Sequence, residues 1–116
     1  MISHYEDVEA QLREIIEAWS FINDLPRYAI KMHGYGDSNG GFGITYPDDL
    51  DEYQREVERV IIPRGMVQAY GYWGPPEGYE FLVTEVTYLK VLAEVLFEKK
   101  LFNEANSIKE FATSRA

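Results

Sequence analysis

The residues of this chain that could do chemistry are mostly carboxylates, with two histidines and no cysteine. The densest acidic cluster follows Pro47 and contains Asp48, Asp49, Asp51 and Glu52. Such a cluster can hold Mg²⁺ or Ca²⁺, cap a helix that faces water, or meet a cationic partner. Because hard-cation sites usually gather ligands from more than one segment, the sequence favours the helix cap and the partner surface over a metal site.

A serine and two histidines raise the question of hydrolase chemistry. The stretch Gly36-Asp37-Ser38-Asn39-Gly40 matches the G-x-S-x-G pattern of a nucleophile elbow. That elbow needs a strand, a turn and a helix, with a histidine later in the chain, whereas His4 and His33 both precede Ser38. His33 also has no carboxylate partner that the sequence reveals, which is typical of a structural histidine rather than a general base. We therefore predict no catalytic residue, no metal and no cofactor.

Length, charge and composition limit the domain count, the kinds of partner and the compartment that we expect for this protein. A chain of 116 residues predicts one domain spanning positions 1–116. Its net charge of −9 argues against binding a nucleic-acid backbone or an anionic membrane, and suits a cationic partner or simply an acidic cytosolic protein. The absence of cysteine excludes disulfides and thiolate chemistry. The first residues lack a signal-peptide pattern, so we expect a cytoplasmic protein.

The first half of the chain predicts a helix followed by a hairpin. Ser3 and Glu6 have capping-box spacing, and an apolar stripe follows that should end near Asn23. Alternating residues predict strands over 28–33 and 42–46, joined by a flexible glycine-rich loop over 34–41. The stripe consists of Val8, Leu12, Ile15, Trp19 and Ile22.

A second helix should connect this hairpin to the next one. The stretch after Pro47 places Leu50, Tyr53, Val57 and Val60 at helical spacing, which predicts a buried face. A proline at position 63 should end this helix.

The chain is organised around a second hairpin. Residues 66–73 alternate between two faces, Gly74–Gly78 supplies a turn, and Tyr79, Phe81 and Val83 share one face of the return strand. We expect this pair to be central in the sheet. Thr84 or Thr87 should begin a long helix, with a shorter one from Asn103 through Phe111. The order α-ββ-α-ββ-α-α predicts an α+β domain with a four-stranded antiparallel sheet. The buried face of the long helix should comprise Leu89, Leu92, Ala93, Leu96 and Phe97.

Residues 65–100 resemble small immunity proteins of bacterial polymorphic-toxin and contact-dependent growth inhibition systems. The resemblance lies in Tyr70-Gly71-Tyr72-Trp73, in Gly78-Tyr79-Glu80, and in Val83-Thr84-Glu85 leading to Tyr88-Leu89-x-x-Leu92-Ala93-x-x-Leu96. It implies a protein without enzymatic activity that binds a toxin domain made by the same cell, often a nuclease, and blocks its active site or an essential surface. The contact positions vary with the toxin, so the resemblance assigns no site residue.

The resulting hypothesis is an immunity protein whose carboxylates meet a cationic toxin, with an aromatic anchor nearby. It should be a monomer or a small homo-oligomer. Two alternatives remain: a small acidic ligand-binding or regulatory module that uses the sheet face or the glycine-rich loop, and an enzyme built from Asp, Glu, His and Tyr without a recognisable motif. The predicted partner-binding residues are Asp48, Asp49, Asp51, Glu52 and Glu56, with Tyr72 or Trp73 as the anchor.

Overall fold

The computed structural model of the protein describes residues 4–37, 41–71 and 79–115, apart from the side chains at positions 4–7 and 79. These residues form an α+β fold, which confirms the predicted class. The α-helices are α1 (His4–Glu17), α2 (Leu25–Ile30), α3 (Glu52–Glu56), α4 (Glu85–Glu98) and α5 (Phe102–Arg115). The strands are β1 (Tyr35–Asp37), β2 (Phe42–Thr45), β3 (Met66–Gly71) and β4 (Tyr79–Thr84).

The four strands form one antiparallel sheet in the order β1-β2-β3-β4. Because side chains alternate along each strand, the register sorts them into two faces. The inner face carries Phe42, Ile44, Val67, Ala69 and Val83, all buried. The outer face carries Gly43, Thr45, Gln68, Tyr70 and Glu80.

Helices cover the inner face and complete the core. Four helices contribute fully buried side chains to it: Leu12, Ile15 and Ile16 from α1, Leu25 and Ala29 from α2, Leu89, Leu92 and Leu96 from α4, and Ile108 from α5. A hydrogen bond also ties β1 to α1, since the Tyr35 hydroxyl donates to the Ile15 carbonyl oxygen at 3.0 Å. The sheet is therefore anchored from one side.

The second hairpin and the helix after it follow the prediction closely. Thr84 caps α4, because its Oγ1 accepts a hydrogen bond from the Thr87 backbone N–H at 3.1 Å. Two details differ: Phe97 is exposed, and β4 is an edge strand rather than part of a central pair. The predicted turn, with the rest of positions 72–78, lies outside the described residues. The final helix, α5, runs four residues beyond Phe111 to Arg115.

The first half differs more from the prediction. Helix α1 ends at Glu17, and a short 3₁₀ turn over Ile22–Asp24 leads into α2. The strand predicted over 28–33 is wrong, because this segment belongs to α2 and to the turn and connection after it. Pro26 lies in the first turn of α2, where a missing N–H costs nothing, so it begins a helix instead of only ending one. The predicted glycine-rich loop contains β1.

The connecting helix is also shorter than predicted. Helix α3 has five residues, and its expected apolar face is largely exposed: Tyr53 and Val57 are open to solvent, whereas Leu50 is buried. Among the described helices, none combines the length and apolar character that crossing a membrane requires.

Candidate partner-binding surface

Helix α3 is held by reciprocal hydrogen bonds at its first turn. The Asp51 Oδ1 accepts from the Gln54 backbone N–H at 2.8 Å, and the Gln54 Oε1 accepts from the Asp51 N–H at 3.0 Å. This capping box fixes two otherwise unpaired donors and lets a five-residue helix form. It also leaves Glu52 and Glu56 exposed, one helical turn apart.

Beside these carboxylates, α3 presents apolar side chains to solvent. Tyr53 and Val57 are each 62% exposed and, four residues apart, they lie on one side of the helix. We call this surface the α3 ridge: Asp51, Glu52 and Glu56 together with Tyr53 and Val57. An apolar pair rimmed by charge is the usual composition of a protein-binding patch.

Asp49 was predicted as a partner-binding carboxylate, but the structure gives it an internal role. One oxygen, Oδ2, accepts hydrogen bonds from the backbone N–H groups of Gly34 and Tyr46, each at 2.8 Å. The other, Oδ1, lies 2.7 Å from His33 Nδ1. The Asp49 side chain is only 17% exposed, so its carboxylate joins the end of β2 to the start of β1 and is not available as a free steering charge.

His33 therefore has the carboxylate partner that its sequence neighbours did not reveal. Its side chain is 64% exposed, yet it is oriented by Asp49 and by the edge of the Tyr28 ring, whose centroid lies 5.9 Å away. Neither of these contacts offers a nucleophile, so the geometry supports positioning of the α2–β1 junction more directly than catalysis.

Asp48 stays exposed, as predicted, at 3.9 Å from the Arg64 guanidinium. At that separation, two exposed groups attract each other weakly, so the Asp48 carboxylate can interact with another cation. The predicted anchors Tyr72 and Trp73 lie outside the described residues.

The outer face of the sheet and α3 border two adjoining depressions that are open to solvent. Each has a volume of about 510 Å³, and both are lined by Thr45, Gln54 and Tyr70. One extends toward β1 and reaches Asp48; the other extends toward β4 and reaches Glu58 and Glu80. We call the combined groove the outer trough. Its floor is the outer face of the sheet, and α3 with the residues after it forms one wall.

Glycines keep the floor of the outer trough flat. Gly36 and Gly43 are paired across β1 and β2, and the Tyr70 hydroxyl lies over both of them. A Cβ at Gly36 would meet that hydroxyl at 2.5 Å, and a Cβ at Gly43 would meet it at 2.6 Å. Partial burial, and then the charge of Asp37, raise the pKa of the Tyr70 hydroxyl. Tyr70 therefore stays neutral and lies across the middle of the trough.

A second polar site lies where α4 begins and α5 ends. The Glu85 carboxylate is buried, and its Oε1 accepts from the Arg115 Nε at 2.8 Å. The Tyr46 hydroxyl is buried nearby, and desolvation followed by the charges of Tyr88 and Glu85 raises its pKa far above the usual value. The adjoining cavity holds only about 50 Å³. This arrangement fastens two helix ends together and leaves little room for a ligand.

No group of three or more histidine and acidic side chains that could hold a metal ion lies within the part of the chain that the structure describes. Comparison with known proteins finds no family model, no curated protein and no solved structure that matches this chain. What the protein does must therefore be argued from the surface itself.

Sequence reasoning missed three components of that surface. The exposure of Tyr53 and Val57 is not predictable from helical spacing, because this spacing indicates an apolar face but not whether that face is covered. The hydrogen bonds from His33 and Gly34 to Asp49 join segments 15 or more positions apart, and no local pattern predicts them. The contribution of Glu80 to the trough depends on the pairing of β3 with β4. The predicted alternation of β4 does place Glu80 and Phe81 on different faces of that strand, but it does not show which face borders the trough.

Proposed function

We propose that this chain is an immunity protein that binds and neutralises a cationic toxin domain in the bacterial cytoplasm, without catalysing a reaction. The observation that carries the proposal is the α3 ridge, where exposed Tyr53 and Val57 stand beside the carboxylates of Glu52 and Glu56. Aromatic side chains dominate the energetic centres of protein interfaces, and charges around them guide encounter. The resemblance of residues 65–100 to immunity proteins points the same way.

A nuclease domain is the partner that this surface fits best. Such a domain must carry a cationic cleft, because it binds phosphates. Carboxylates on a structured element can occupy that cleft without being cleaved, while a net charge of −9 speeds the approach of the two proteins. Inhibition would then follow from blockage of the substrate cleft or of a surface next to it.

The test requires a toxin domain encoded beside this chain, and it expresses that domain with and without the chain. We expect the chain to restore growth and to bind the purified toxin. Replacing Glu52 and Glu56 with glutamine should slow association about three- to tenfold at low salt and reduce the salt dependence of the rate. The matched control is Glu104→Gln with Glu110→Gln, which removes two carboxylates from α5 instead.

Two outcomes would contradict the proposal. A chain that neither binds the neighbouring toxin nor restores growth is not its immunity protein. Equal slowing by the α3 and α5 pairs would mean that only the total charge matters, and that α3 is not the surface the toxin approaches.

A further inference from the structure

The two segments that contain the strands of the sheet have no lysine or arginine. From position 32 to 54, and again from 65 to 89, the sequence has no lysine or arginine, although the first segment has five carboxylates and the second has three. All four strands lie within these two segments. Edge strands commonly carry lysine to discourage pairing with other chains, so a sheet without one is unusual.

This charge pattern converges on the outer trough. Its described lining includes the carboxylate of Asp48 toward β1 and those of Glu58 and Glu80 toward β4. It also includes His33, which faces the internally bonded Asp49, but no lysine or arginine. A groove lined by one sign of charge concentrates its electrostatic potential, because the protein wall excludes solvent on one side.

The middle of the trough suits a cationic side chain as well. The Tyr70 ring lies there between the two acidic ends, and a guanidinium or ammonium group is attracted to the face of such a ring. Glutamine side chains at positions 54 and 68 add amide groups that can hydrogen-bond an extended backbone.

The sheet also sets the length of the trough. It crosses from β1 to β4, which is three strand spacings of about 4.8 Å, or about 14 Å in all. An extended peptide covers about 3.3 Å per residue, so about four residues span the trough from end to end.

We infer that the outer trough binds an extended, arginine- or lysine-rich segment of about four residues, supplied by the protein partner. The inference rests on the proposed function for the identity of that partner, but not for the chemistry of the groove. In the proposed complex, one cationic side chain pairs with Asp48 at one end of the trough, and a second pairs with Glu58 and Glu80 at the other end. A third cationic side chain lies over the Tyr70 ring. The α3 ridge beside it would contact the neighbouring surface of the same partner.

The direct test titrates the isotope-labelled protein with a blocked tetra-arginine peptide and follows its backbone amide signals by NMR. The largest shifts should occur at Thr45, Gln68 and Tyr70 and should shrink as salt is added. Replacing Glu58 and Glu80 with glutamine should weaken peptide binding about three- to tenfold. The control pair Glu104→Gln and Glu110→Gln, which removes the same charge from α5, should change it by less than about twofold.

Several results would overturn the inference. Shifts spread over the acidic surface of α1 and α4, or equal weakening by both variant pairs, would mean that the peptide responds to total charge and not to the trough. A tetraglutamate peptide that shifts the same signals would exclude a charge-based site. Should the double variant lose its native circular dichroism, Glu58→Gln alone provides the same comparison, because Glu58 lies in an exposed segment.

The toxin assay separates this inference from the proposed function. If the peptide shifts signals outside the trough and the chain still neutralises the toxin, the trough is not a peptide-binding site, and the α3 ridge alone accounts for the immunity function. If the peptide shifts signals within the trough but the chain does not bind the neighbouring toxin, the trough binds cationic peptides and the proposed immunity function is wrong.

Discussion

Helices α3 and α4 carry the same kind of apolar spacing on opposite sides of one sheet, but the apolar side chains of α4 are buried and those of α3 are exposed. In α4, Leu89, Leu92 and Leu96 are fully buried against the other helices and the inner face. Tyr53 in α3 and Val57, the residue that follows its last turn, lie four positions apart and remain exposed. Periodicity therefore identifies the side of a helix that is apolar, but it does not tell whether the fold supplies a surface to cover it.

The difference has a structural reason. Helix α4 has 14 residues and lies between α1, α5 and the sheet, so its stripe is covered along its whole length. Helix α3 has five residues and begins at a capping box on the other side of the sheet, where α1, α4 and α5 do not reach. An apolar pair left in this position costs little in folding and is available for a partner.

The largest effect on stability should come from alkaline pH, which acts on tyrosines buried in the core. Burial raises the pKa of the Tyr35, Tyr46 and Tyr88 hydroxyls above the usual value of about 10. Because these pKa values are raised in the folded state, their contribution to stability is complete below pH of about 10 and is lost as the pH rises further. We expect tyrosinate absorbance and loss of circular dichroism to develop together above that pH. Full ionisation of the tyrosines with native circular dichroism retained would show that they are not buried.

Next in size is the removal of a leucine from α4. Leu96 is 0% exposed, so Leu96→Ala should lower the free energy of unfolding by about 2–5 kcal/mol through lost burial and a cavity. Val57→Ala, on the exposed stripe of α3, should lower it by less than about 0.5 kcal/mol. Urea denaturation of both variants measures the difference. Comparable losses in the two would mean that α3 is packed as tightly as α4.

The contrast between these helices also explains how far the sequence alone could lead. The segment from β3 to α4 was predictable, because strand alternation, the Thr84 cap and a long apolar stripe all agree there. The α2 segment was not, because Tyr28, Ile30 and Met32 alternate over so few residues that a strand and a helix fit equally well. Only the packing of α2 against α5 decides between them.

The candidate site divides in the same way. The exposed carboxylates of α3 could be placed from local signals, since the acids after Pro47 fall along a predicted helix, although the residue that caps it is Asp51 and not Asp48 or Asp49. The internal role of Asp49 could not, because it depends on hydrogen bonds to Gly34 and His33 from a separate segment. Nor could the outer trough, which exists only once four strands have paired.

An intermediate effect should follow from breaking the ion pair between α4 and α5. Arg115→Ala leaves the Glu85 carboxylate, whose side chain is 5% exposed, without its cation. The free energy of unfolding should fall by about 1–3 kcal/mol, because a buried charged acceptor loses its partner. The comparison on the α3 side is Arg64→Ala, whose contact with Asp48 is exposed and long at 3.9 Å. It should cost less than about 0.5 kcal/mol. Equal melting temperatures for the two variants would argue against a buried Glu85.

The smallest effect on stability, and the sharpest test of the comparison, should come from removing the apolar part of the α3 ridge. Tyr53→Ser combined with Val57→Ser should change the free energy of unfolding by less than about 0.5 kcal/mol, because both side chains are exposed in the free protein.

Toxin binding should respond differently to the same double variant. A buried aromatic anchor contributes mainly to the lifetime of a complex, so dissociation from the toxin should become about tenfold faster while association changes little. The matched control replaces Phe97 and Phe102 with serine, since these aromatic residues are also exposed but belong to α4 and α5. If the control speeds dissociation as much as the α3 variant does, the toxin rests on the helical side of the molecule, and the exposed stripe of α3 has no part in binding.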